Sequence, residues 1–326
     1  MLTAYVARGD KLARIEIADG EPLPGDTVWV DLLRPEGGED VRVEALIGAS
    51  VPTREEMQEI EASSRLYAEN GARYMTATVL YGFDRDLPRL TPVTFILRGK
   101  TLVTVRYEEP KPFEMFAARV VRESHDGACT ADAVFAELLE AIVDRIADVL
   151  ERVSAEIDIV SGNIFSEYPG GRTPQRRYQE VMRRLGQKGD LLSKARESLA
   201  TLGRLIQFCG TERVGTGLGA ETREDLRLIA GDVQSLSDHA NFLMNKVIFL
   251  LDSTVGLVSI QQNEIIKIFS VVAVIFLPPT LVASIYGMNY EYMPELQWKY
   301  GYFFALGLML VSAILPYAFF KWKRWF

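Results

Sequence analysis

One row of side chains in this sequence recurs at alternating three- and four-residue steps: Asn263, Ile266, Ser270, Ala273, Leu277, Thr280, Ser284 and Gly287. A Gly287-Met288-Asn289 tripeptide closes it. On a helix that spacing lines one face. Its amides and hydroxyls are neutral oxygen donors, and no carboxylate lies among them. Such a lining suits a cation that passes with its waters attached, as Mg²⁺ prefers to do. Ile266 and Leu277, on the same face, would be dry constrictions able to gate by dewetting. Bulky Phe269, Val271, Val272, Ile275 and Phe276 fall off the row. Small residues on one face also serve close helix packing in a membrane. An amide at each end, Asn263 and Asn289, favours a water-filled path, since packing alone needs neither.

The element carrying this row is apolar enough to cross a bilayer. Residues 265–286 hold a single charge, Lys267, and span roughly 33 Å as a helix, enough for a hydrocarbon core of about 30 Å. Residues 302–320 carry no charge and form a second span. Tyr and Trp flank both runs in the manner of an interfacial belt. Lys321, Lys323 and Arg324 follow the second span, whereas the connecting segment 287–301 has Lys299 against Glu291 and Glu295. The excess of basic residues predicts a cytoplasmic tail at 321–326, an external loop and a cytoplasmic N-terminal region. The first residues lack an apolar signal core, and Cys129 and Cys209 stand apart as in a reducing compartment. Pro278 and Pro279 leave the carbonyls of Val274 and Ile275 without helix donors, which implies either a tolerated kink or a hinge.

The preceding residues must hold these spans. The chain has 326 residues and a net charge of −8, and nearly all the charge precedes Glu264. Residues 1–130 alternate β-rich runs ("DTVWVDLL", "ARYMTATVLYGF", "VTFILRG", "TLVTVRYEE") with short helical ones, one opened by a Thr53/Glu56 capping box. This predicts an α+β cytoplasmic domain, followed at 131–264 by long helices. Val134, Leu138, Ile142, Ile146, Val149, Val153, Ile157 and Val160 mark one amphipathic helix. Glu137, Glu140, Asp144, Asp148 and Glu151 form a stripe on another side, either a solvated face or a surface that gathers cations. The segment from Pro174 to Cys209 is rich in Arg and Lys, predicting an attractive acidic/basic hairpin. It has no aromatic platform for nucleic acid. Thr222 with Asp225 is expected to cap a third helix, which runs as a stalk into the first span.

Tyr286-Gly287-Met288-Asn289, followed by "YEYMPEL" and a second span ending in basic residues, resembles the CorA family of magnesium transporters, of the Gly-Met-Asn type. The run "LLDSTVGLVSIQQNEIIKIFSVVAVIFLPPTLVASIYGMN" is similar to its proteobacterial branch nearly throughout. The resemblance implies a homopentameric, funnel-shaped channel in the bacterial inner membrane, with both termini cytoplasmic and the first spans lining the pore. It implies that Gly287, Met288 and Asn289 form a selectivity filter at the external mouth, and that Asn263 and Thr280 face the pore. Glu291 and Glu295 would concentrate cations at the entrance, and Lys321, Lys323 and Arg324 would surround the exit. Mg²⁺ would be cargo and regulatory ligand, with Co²⁺ and Ni²⁺ as further cargo and no resident cofactor.

In one respect the chain departs from the family: Leu228 stands where a sensing Asp is expected, with Asp225 and Asp232 a turn to either side. A zinc-transporting relative is the neighbouring alternative, but that branch usually carries Gly-Ile-Asn, and the only histidines here are His125 and His239. A membrane-tethered scaffold would account for the stalk but not for the polar row. An enzyme finds no support, because HExxH, P-loop, GxSxG and paired His/Cys patterns are all missing.

Overall fold

The computed structural model describes residues 1–9, 11–15, 17, 20–83, 88–122, 129–165, 174–210, 218–289 and 293–323. They form two compact units, one of Met1–Arg172 with Gln179–Leu251 and one of Thr173–Tyr178 with Asp252–Phe326. The first contains the sheet and most of the long-helix region up to Leu251.

Its sheet has seven strands: β1 (Leu2–Arg8), β2 (Lys11–Ile15), β3 (Thr27–Leu33), β4 (Leu66–Glu69), β5 (Ala72–Tyr81), β6 (Arg89–Arg98) and β7 (Thr101–Arg106). Their order is β2-β1-β3-β7-β6-β5-β4. Neighbours are antiparallel except β3 and β7, which run parallel with Trp29 opposite Leu102. Alternation along β3, β6 and β7 sends Val30, Leu32, Ile96, Val103 and Val105 to one face. There they meet Val43 and Ile47 of α1 (Glu39–Ile47) and Met57 of α2 (Arg54–Met57). The Thr53/Glu56 capping box forms as the sequence predicts, though it opens only four residues of helix. A further turn, α3 (Ala62–Arg65), leads into β4.

The opposite face is aromatic. Trp29 meets Phe116 of α4 (Lys111–Arg122) edge-on at 5.5 Å, and Phe95 meets Phe135 of α5 (Ala131–Phe165) at the same distance. Helices therefore cover both faces, which is why the central strands read as nearly unbroken apolar runs.

A polar network pins the parallel join. Arg106 donates to both carboxylate oxygens of Asp31, with Nη2 to Oδ2 at 2.7 Å, and Thr104 donates to Oδ1 at 2.8 Å. Trp29 Nε1 donates to Thr104 Oγ1 at 3.0 Å, and the Arg106 guanidinium lies over the Phe113 ring.

The long helices follow as predicted. All eight residues of the α5 apolar row are buried. Helix α6 (Pro174–Cys209) runs back, and α7 (Ala220–Tyr286) runs forward. The Gly219 amide donates to Asp132 Oδ2 at one end, while Lys246 pairs with Asp158 further along, so α5 and α7 lie parallel. Gly203 and Gly189 let α6 pass close to Val233 and Val247 of α7, in antiparallel sense. Lys188 of α6 pairs with Glu156 of α5. Thr222 does not cap α7: the helix begins at Ala220, Arg223 N–H already bonds Gly219 O, and Thr222 is buried in the first turn.

Removing one partner of the buried pair should cost more than removing both. Arg106→Met is expected to destabilise the protein by about 3–5 kcal/mol, and adding Asp31→Leu should recover much of that loss. Denaturant unfolding followed by tryptophan fluorescence reads both.

Candidate functional site

Helix α7 continues through Pro278 and Pro279 to Tyr286, and α8 (Gly301–Trp322) follows a short 3₁₀ turn at Pro294–Gln297. Both helices have stretches long and apolar enough to cross a membrane, and those stretches are almost entirely uncovered. The first span carries one covered stripe: Val271, Ile275, Pro278, Val282 and Tyr286. These recur at helical steps. They lie about half a turn around the helix from the polar row. The second span carries its own covered stripe at Gly301, Ala305, Met309, Ser312 and Pro316.

Every member of the polar row is exposed. Asn263, Ser270, Thr280, Ser284 and Asn289 stand bare, as do Ile266 and Leu277 at 61% and 66% exposure. Thr280 Oγ donates to the Phe276 carbonyl at 2.7 Å, so its proton is committed and its lone pairs remain available. The helix ends where Gly287 N–H bonds Ala283 O at 2.9 Å. Gly287 is not in the left-handed region, so positive φ is not what it supplies. Its role is close approach, since a Cβ there would sit 3.2 Å from Ala283 O. Met288 N–H bonds Ile285 O, leading into an exposed Asn289.

In the loop, Trp298 packs against Tyr300 and Phe304. Glu295 lies in the 3₁₀ turn. The Glu295 side chain, Glu291, Arg324 and His125 lie outside what the structure describes. At the end of α8, Lys321 sits over the Tyr317 ring, and Lys323 is exposed.

A second polar feature arises in the first unit. The upper part of the acidic stripe turns towards α4 and α7 rather than α6. Burial, then the neighbouring Asp144 carboxylate, holds the Glu140 carboxyl above its ordinary range; Arg119 opposes this, while Glu137 and Asp225 add repulsion. Asp144 is raised likewise, by burial and then Asp148, with Asp232 contributing across from α7. Asp225 and Asp232, the nominated sensing residues, are thus exposed and face like charges on α5. Sequence reasoning found both rows separately but missed their meeting. The helical spacing of each was visible; the register of α5 against α7 was not. Among the described residues, no group of three or more His, Cys, Asp or Glu converges to hold a metal ion.

Two uncovered apolar helices following a mixed α/β domain and a long-helix region are the arrangement of a membrane protein. The comparisons with known proteins agree. The family model "CorA-like Mg2+ transporter protein" matches residues 24–324. The magnesium transport protein CorA of Escherichia coli K12 is 35% identical over the full length of both chains, and that of Yersinia pseudotuberculosis is 34% identical, again over both full lengths. The complete structure of the CorA magnesium transporter from Methanocaldococcus jannaschii shares the fold, with a TM-score of 0.74 at 19% identity, covering 100% of this chain and 99% of the other. This chain belongs to the CorA-like Mg²⁺ transporter family, a family of transporters rather than enzymes.

The acidic face has a pH signature. Glu140 and Asp144 titrate higher in the folded than in the unfolded chain, so folded stability falls as pH rises from the ordinary carboxylate range through their raised values. Asp144→Asn should therefore stabilise the protein at neutral pH by up to about 1 kcal/mol, solvent screening keeping the effect small. It should have no effect near about pH 3, where the carboxyl is protonated anyway. Thermal unfolding across pH checks this.

Proposed function

We propose that this chain is one subunit of a homopentameric channel that takes up hydrated Mg²⁺ into the bacterial cytoplasm, with Co²⁺ and Ni²⁺ as further cargo. The observation that carries the reading is the polar row on α7, bare on the face opposite the covered stripe. Two spans cannot enclose a path, so several copies must place these rows around a common axis. The covered stripe leaves the row free to face it. Orientation follows the basic residues: both termini lie inside, and the Gly287-Met288-Asn289 filter lies at the outer mouth.

A hydrated cation presents water hydrogens to its surroundings, so its path needs acceptors. Asn289 and Asn263 offer amide oxygens. Thr280, its proton given to Phe276 O, offers lone pairs only. Ser270 and Ser284 extend the polar lining, Ile266 and Leu277 form the dry gate, and Glu291 and Glu295 enrich cations outside. Lys321, Lys323 and Arg324 surround the exit. No energy source beyond the membrane potential is needed. A divalent ion gains about 4.6 kcal/mol per 100 mV, or roughly three decades of concentration. Such a path would overload the cell unless it closed. Asp225 and Asp232, set against Glu140 and Asp144, form an acidic face whose repulsion Mg²⁺ binding between subunits would relieve, favouring the closed state when Mg²⁺ is plentiful.

Uptake into liposomes, read by an internal Mg²⁺ dye, tests the pore. Asn289→Ala should lower it by at least about tenfold, the equivalent of one ordinary hydrogen bond to a charged species. Hexaamminecobalt(III), an inert mimic of the hydrated ion, should block it from outside. Zn²⁺ flux without Mg²⁺ flux would instead place the chain with the zinc transporters, and no flux of any cation would favour a scaffold. Asp225→Asn combined with Asp232→Asn should leave uptake active at internal Mg²⁺ levels that silence the unaltered channel.

A further inference from the structure

The steps that space the polar row do not stop at Asn263. Counted back along α7 at the same alternation of three and four residues, they reach Ser259, Gly256, Asp252, Phe249, Asn245 and Phe242. All six are exposed. The buried positions of this stretch, Leu243, Val247, Leu250 and Thr254, lie about 0.4 of a turn round the helix. The row therefore stays clear of the core that holds α7 in its own chain.

Two of its members are large and apolar. Phe242 and Phe249 are 59% and 60% exposed, and seven residues set them about 10 Å apart along the helix. A single bare apolar residue is ordinary, but two aromatic rings in the register of the polar row are not scattered exposure. Each is braced at one side only: Phe249 lies 6.5 Å from the Phe165 ring at the end of α5, and Phe242 lies 6.2 Å from the His239 ring one turn back. They alternate with Asn245 and Asp252, as Ile266 alternates with Asn263 and Ser270 in the first span. The bare residues Ile248 and Val255 fall on the other flank of the row from the buried face, available to an adjacent copy. With the chain's own core on one flank and that apolar surface on the other, the row is the part of α7 left to face a common axis.

We infer that Phe242 and Phe249 form a second dry constriction in the ion path, on the side of the span away from the Gly287-Met288-Asn289 filter and separate from Ile266 and Leu277. The inference rests on the pore reading above, in which several copies set this face of α7 around one axis. Rings projecting from every copy narrow a water-filled path with surface that offers a hydrated cation no acceptor. The water column breaks there more readily than beside Asn245 or Asn263, and the path closes without a charge being moved.

The test uses the full-length protein in liposomes and begins with geometry. Phe242→Cys and Phe249→Cys, made singly, should each give disulfide-linked dimers of the chain on mild oxidation, whereas the unaltered protein, whose Cys129 and Cys209 are buried, should give none. Uptake is then read by the internal Mg²⁺ dye at an internal Mg²⁺ level that nearly silences the unaltered channel. Phe242→Ser combined with Phe249→Ser should raise that residual uptake by at least about tenfold, because the apolar surface that expels water is gone. The corresponding pair of leucine substitutions should keep it low. Ile159→Ser, at an exposed position on α5 outside the row, should leave it as it was. Size-exclusion profiles matching that of the unaltered protein establish that the variants assemble. The inference is overturned by an absence of cross-links at both positions, by unchanged residual uptake in the double serine variant, or by an equal leak in the leucine and serine pairs. If ordinary uptake still depends on Asn289 in those cases, the pore reading survives them. No Mg²⁺ uptake by the unaltered protein would remove the pore reading and this inference with it.

Discussion

A helix in hydrocarbon must satisfy its own backbone, and here the helix that does so is also part of a folded, sheet-bearing unit. Ala220–Tyr286 is one element. Its first half contributes Leu226, Ile229, Val233, Ala240, Leu243, Val247 and Leu250 to a core, and its second half is bare apart from Thr254 and the covered stripe. A continuous hydrogen-bond ladder resists local stretching. The exception is where Pro278 and Pro279 remove two donors. The softest point thus lies within the polar row, between Leu277 and Thr280.

On the proposed reading, the acidic face gives that helix something to respond to. Most helix packing in the first unit is apolar and insensitive to ions. Against it, α5 and α7 bring carboxylates together with only Arg119 acting in opposition at both Glu140 and Asp144. The apolar rows hold the helices together while the carboxylates push them apart.

What could be read from the sequence was whatever depends on periodicity along one segment. Helix α5 was legible because its apolar row repeats over 35 residues, and the spans because hydrocarbon imposes a length. The strands β3, β5, β6 and β7 were legible from their β-branched runs. Strand β1 and the edge strands β2 and β4 were not: β2 and β4 are short, and Lys11–Ile15 alternates in charge as much as in hydropathy. The polar row was found by spacing alone, but its position opposite the covered stripe needed the folded chain. The start of α7 was misread because Thr222 has the right side chain for a cap and a poor one for a buried turn, and packing decided the matter.

The parallel pairing of β3 with β7 has a consequence for how the chain assembles. Strand β3 is made early, yet its neighbour on that side arrives only after β4, β5 and β6, so the sheet stays open until a long loop has closed. Closing a loop of that length carries an entropic cost before any contact rewards it, which makes this sheet a slow element to complete. Until then Asp31 has no Arg106 to meet, and α5 has no finished surface on which to dock. The long helices that follow in the chain therefore dock on a surface that itself closes late.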